Sequence, residues 1–92
     1  MTVTVNINRT GERFALLRNE RTKYTNSASE IGDAYGFKHI DALDIENYGE
    51  VLWDGIEYNR LLQREGVLYR FVEWLGRYPY DGIIVEKIGA YS

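Results

Sequence analysis

Residues 65–88 constrain the fold of this chain more than any other stretch. Leu68, Phe71, Val72 and Leu75 recur at the i, i+3, i+4, i+7 spacing of one helical face, with Trp74 and Tyr78 flanking the stripe. Glu73 and Arg77 stand four apart in the acid-first order that supports a helix. Gly76 and Pro79 are placed to end it, because proline disfavours helical backbone in the residue before it. The spacing therefore predicts a principal helix with Phe71 on its buried face. Tyr80-Asp81-Gly82 then turns the chain into Ile83-Ile84-Val85-Glu86-Lys87-Ile88, a β-branched run that reads as the strongest strand.

Upstream, Val3, Val5 and Ile7 alternate with polar residues, and Phe14 and Leu16 resume the alternation after Arg9-Thr10-Gly11. Residues 2–8 and 12–18 thus read as an antiparallel hairpin. Lys23-Tyr24-Thr25 could add a short edge strand. Ser27-Ala28-Ser29-Glu30 has the spacing of a capping box, so a short helix should run to about Tyr35, where Gly36 ends it. Leu43 and Ile45 alternate with Asp44 and Glu46, suggesting a short strand with an acidic outer face. Residues 50–64 admit two readings. Asp54-Gly55 between two apolar triplets is a hairpin signal. Alternatively, Asp54 to Glu57 caps a helix carrying Tyr58, Leu61 and Leu62 on one face, the reading preferred here because that stripe runs on to Leu68. The expected fold is a single α+β domain over 1–92, an antiparallel sheet of about four strands with two or three helices packed on one face.

At 92 residues there is room for one modest core, and 45% hydrophobic content with 14% aromatics argues for a packed globule rather than a disordered tail. The absence of cysteine excludes disulfide and thiolate chemistry and fits a reducing compartment. No apolar run approaches the roughly 20 residues of a membrane span, and the N-terminus lacks a signal-peptide pattern. A cytoplasmic protein with no membrane partner is expected.

The net charge of −3 conceals a segregated layout. Residues 1–29 carry five basic against two acidic side chains, a balance of +3, and residues 58–92 carry five against four, a balance of +1. Residues 30–57 hold Glu30, Asp33, Asp41, Asp44, Glu46, Glu50, Asp54 and Glu57 against Lys38 alone, a balance of −7. Tyr35, Tyr48, Trp53 and Tyr58 fall in or beside this acidic third. Aromatics among carboxylates suit a protein-binding surface, although filling a small core explains them as simply.

Several catalytic and metal patterns can be weighed against their spacing. A helix-turn-helix over 28–47 would put Asp41, Asp44 and Glu46 on its recognition helix, where they repel phosphate. Direct nucleic-acid binding is therefore not expected. Asp81 with Glu86-Lys87 evokes a metal-dependent nuclease, but adjacent residues of a strand point to opposite faces. His39, Asp41, Asp44 and Glu46 match no calcium loop, and one histidine without cysteine makes a poor zinc site. His39 is the sole imidazole, with no hydroxyl nucleophile spaced to join it. The glycines form neither a P-loop nor a dinucleotide fingerprint. No cofactor is expected.

The helix-like stretch leading into Tyr80-Asp81-Gly82-Ile83-Ile84-Val85 resembles the closing segment of toxin-type and phage ADP-ribosyltransferases, and Val3-Thr4-Val5-Asn6-Ile7-Asn8 is similar to a strand found earlier in them. The resemblance covers about a quarter of the chain. The NAD-cradling half has no counterpart and the chain holds no Glu-x-Glu pair, so no catalytic residue carries over.

The expected function is a small acidic, non-enzymatic binding protein whose partner is a protein with a basic surface. Asp41, Asp44, Glu46, Tyr48, Glu50, Trp53, Asp54 and Glu57 are the candidate contacts. Small phage or mobile-element inhibitors of the anti-defence or anti-CRISPR type share this size and charge, and block nucleic-acid-handling host proteins by occupying the place of phosphates. The alternatives are a small enzyme or nucleotide-binding fragment using His39 and nearby acids, or a structural subunit of a larger assembly.

Overall fold

The computed structural model describes residues 3–18, 27–40, 44–46 and 61–92. Along the chain come β1 (Val5–Ile7), β2 (Arg13–Leu17), helix α1 (Ala28–Ala34), β3 (Lys38–His39), β4 (Leu61–Arg64), β5 (Val67–Leu75) and β6 (Gly82–Tyr91). The strands form one antiparallel sheet in the order β1-β6-β5-β4-β3, with β2 also paired to β6. The predicted run 83–88 lies within β6, which is paired along both of its edges.

Several expectations about the architecture are overturned. Among the described residues there is a single short helix, so the α+β arrangement with two or three helices on one face gives way to a mainly antiparallel sheet. The principal helix expected around Phe71 is instead strand β5. Its helix-like spacing has two physical sources. The strand is covered on both faces: Leu68 joins one apolar cluster, while Tyr69, Phe71 and Trp74 pack against the other. In addition, Phe71 pairs with Val85 and Glu73 with Ile84, leaving Val72 as an extra residue in a bulge. That insertion brings Phe71 and Trp74, three apart in sequence, together with ring centroids 5.7 Å apart. The composition of the segment, rich in Val, Tyr, Phe and Trp, favours a pleated surface.

The preceding turn carries the same correction. Arg64 pairs with Val67, so Glu65-Gly66 is a two-residue hairpin turn, with φ of 53° and 78°. Positive φ at both positions is the geometry that matches strand twist, and glycine adopts it without strain. The helix preferred for 50–64 fails at Leu61 and Leu62, which lie in β4 and belong to opposite clusters. Residues 50–60, including the Asp54-Gly55 signal, lie outside the described residues, as does Lys23-Tyr24-Thr25.

The predicted N-terminal hairpin is also replaced. β1 and β2 do not fold back on each other; they lie end to end along one edge of β6. Ile7 pairs with Gly89 and Arg13 with Glu86, so residues 8–12 face only two residues of β6 and bulge out. The ladder resumes at each side, where Asn8 N donates to Ile88 O (2.8 Å) and Lys87 N to Glu12 O (2.9 Å). Alternation identified both strands but could not name their partner, because period two specifies a face and not a neighbour.

The two clusters sit on opposite faces of the sheet. One gathers Val5, Ile40, Ile45, Leu61, Leu68 and Ile88. The other gathers Leu16, Ile31, Phe37, Leu62, Ile83 and Val85 beneath α1. The helix forms where the capping signal placed it: Ser27 is the N-cap and its Oγ accepts from Glu30 N at 3.4 Å. Ile31, fully buried, anchors it to the sheet.

Candidate functional site

Of the eight predicted contact residues, Asp44 and Glu46 are described; Asp41, Tyr48, Glu50, Trp53, Asp54 and Glu57 lie outside the described residues. Asp44 and Glu46 flank Ile45, whose side chain is buried in a core cluster. Ile45 forms a parallel bridge to Val3: Val3 N donates to Asp44 O and Glu46 N to Val3 O, each at 2.7 Å. The expected alternation holds at 44–46, with the apolar residue inward and both carboxylates exposed, but the short strand expected there is reduced to this single bridge, and Leu43 lies outside the described residues. Thr4 Oγ1 donates to Glu46 Oε2 at 2.8 Å and holds that carboxylate outside the sheet edge. Glu30 and Asp33, from the same acidic third, are exposed on α1. None of these four forms an ion pair with another described residue.

A second charged constellation was missed by the sequence reading. Glu86 is 3% exposed, the one buried charged residue among those described. It sits on β6 opposite Arg70 of β5 and Arg13 of β2. Arg70 Nη2 lies 2.6 Å from Glu86 Oε1, with Nε of the same guanidinium at 2.9 Å. Arg9, carried on the 8–12 bulge, donates from Nε to Oε2 at 3.1 Å and from Nη2 to Oε1 at 3.3 Å. The hydrogen bond from Arg9 is the largest influence holding this carboxyl below its ordinary range; burial opposes it, and Arg70 adds to the lowering. Glu86 is thus an ionised anchor with both oxygens engaged, unsuited to proton transfer at neutral pH. The available sequence signal was a lone acid inside a β-branched run, a position that demands a partner when both faces are covered.

Glu86 and Lys87 face opposite sides of the sheet, pairing with Arg70 and Tyr69 respectively, as the objection to a nuclease site required. His39 lies exposed in β3. Where a helix-turn-helix would begin its second helix, the chain runs as β3. Among the described residues, no three His, Cys, Asp or Glu side chains gather to hold a metal ion.

Aromatic side chains concentrate at the β5–β6 connection and the α1 face. Trp74 stacks on Tyr80 with centroids 4.5 Å apart, and Tyr78 meets Tyr80 edge-on at 6.0 Å. Phe37, Tyr69 and Phe14 form a second chain of edge contacts. Most of these rings fill core or shield it; Tyr78, 75% exposed, and Phe14, 38% exposed, are the exceptions.

Among the described residues no helix is long and apolar enough to cross a membrane. No protein-family model, no curated protein and no solved structure matches the chain.

Proposed function

We propose that this protein is a small non-enzymatic binding module that presents its acidic third to a basic surface on another protein, occupying the place that nucleic-acid phosphates would take. The observation that carries this reading is the balance of −7 confined to residues 30–57. The exposure of Glu30, Asp33, Asp44 and Glu46 supports it, since carboxylates held in solvent generate a field that reaches a partner before contact. The burial of Ile45 between Asp44 and Glu46 supports it further, because the backbone there is fixed and the two charges are presented without a large ordering cost.

Parallel affinity captures test the reading, with the wild-type protein and an Asp44→Asn/Glu46→Gln double variant as baits. A basic nucleic-acid-handling protein should be enriched on the wild type and depleted on the variant. Equal recovery on both baits removes the acidic face from the contact. A small molecule co-purifying with the protein in place of a macromolecule would favour the enzymatic alternative.

A further inference from the structure

We propose that the outer edge of β2 pairs antiparallel with the same edge of a second copy of this chain, about a two-fold axis at Ala15, so that two sheets become one. The ladder to β6 determines which backbone groups are available. Arg18 N donates to Asp81 O and Lys87 N donates to Glu12 O, so residues 12, 14, 16 and 18 direct their backbone groups at β6. Arg13, Ala15 and Leu17 direct theirs the other way. Among the described residues, the outward groups of Arg13 and Ala15 meet no hydrogen-bond partner. The Leu17 carbonyl accepts from the Tyr35 hydroxyl and keeps a second lone pair. The neighbouring edge at Val3 is treated differently, being closed by the bridge to Ile45.

An open edge of this kind is a template for another strand, and proteins normally blunt it with charge or proline. β2 carries one charge, Arg13, and no proline, and the rest of the strand is apolar. Phe14 (38% exposed) and Leu17 (53%) are two of the three large hydrophobics left in solvent by the described structure. Self-pairing has few allowed registers, because outward-facing residues must meet outward-facing residues. Centring on Ala15 is the register that overlaps the whole strand. It sets Ala15 against its own copy, Phe14 against Leu16 and Arg13 against Leu17. It also sets Glu12 across from Arg18, opposite charges at both ends of the joint. No like charges meet, and both exposed apolar side chains gain a neighbour. This charge match selects a second copy as the occupant.

Sedimentation velocity over a concentration series, with substitutions on the edge, tests the pairing. The wild type should pass from monomer to dimer as concentration rises. Leu17→Lys puts a cation opposite Arg13 twice per dimer and should raise the dissociation constant about tenfold, whereas Leu17→Glu should lower it. Ala15→Pro removes an outward N–H while leaving the β6 ladder its donors, and should abolish the dimer in a protein whose circular dichroism is unchanged. Hydrogen exchange at Arg13, Ala15 and Leu17 should slow on dimerisation. A wild type that stays monomeric to millimolar concentration overturns the proposal. So does a dimer on which Leu17→Lys and Leu17→Glu act with the same sign, or in which these amides exchange as fast as in the monomer.

Discussion

Glu86 and Arg70 stand directly opposite one another on the two longest strands, and the 2.6 Å contact between them anchors a carboxylate that the fold has otherwise taken out of water. Arg9 completes the clamp from a bulge 77 residues away in sequence. Its guanidinium fastens the junction between β1 and β2 to the centre of the sheet.

Replacing Glu86 by alanine should destabilise the protein by about 3 kcal/mol, the lower end of the range for breaking a buried ion pair. Arg9 and Arg70 retain 34% and 22% side-chain exposure, so they can hydrate once abandoned. Urea midpoints would show it.

The same carboxylate predicts a pH dependence. Its folded-state pKa is lowered from 4.5, so the unfolded chain takes up its proton first as pH falls. The stability it contributes is complete above the ordinary carboxylate range and is lost as pH falls through the lowered folded value. Wild type and Glu86→Gln should therefore converge in stability on acidification and differ by a constant amount near neutrality, as denaturation at a series of pH values would report.

Leu68 tests the strand assignment of β5. It is fully buried in one cluster while its neighbour Tyr69 packs into the other. Leu68→Ala should cost about 2–5 kcal/mol. Val72→Ala, at the half-buried bulge residue, should cost clearly less. A loss at Val72 as large as at Leu68 would return the segment to a helical face, which sets both residues on one stripe.

Gly89 is required by close approach. A Cβ there would collide with the Asn6 carbonyl oxygen, so Gly89→Ala should push β1 off β6 and cost about 1–3 kcal/mol. Hydrogen exchange should localise the loss to the β1 amides, leaving the β2 amides that face β6 protected.

The acidic face predicts a kinetic signature with a captured partner. Asp44→Asn/Glu46→Gln keeps shape and removes two charges, so the loss should fall mainly on the association rate. That rate should also fall with added salt, since the field reaches about 30 Å at 0.01 M ionic strength and about 10 Å at 0.1 M. Salt-independent association would point to an uncharged contact surface.

Features under local chemical control were legible in the residues alone. The cap at Ser27 and the β-branched run through Ile83, Val85 and Ile88 need nothing from distant residues, and both appear where their signals lie. The inward Ile45 between exposed Asp44 and Glu46 was likewise written in alternation. Which strand meets which was set by long-range packing. Apolar residues on β5 serve two cores and step across a bulge, and the sum imitates a helical stripe that only the position of β6 distinguishes from a strand. β1 and β2 share an edge of β6 because that edge offers Val5 one core and Leu16 the other, a choice invisible to a period of two. The Arg9–Glu86–Arg70 clamp follows from the same event, since its three charges meet only once the strands have found their register.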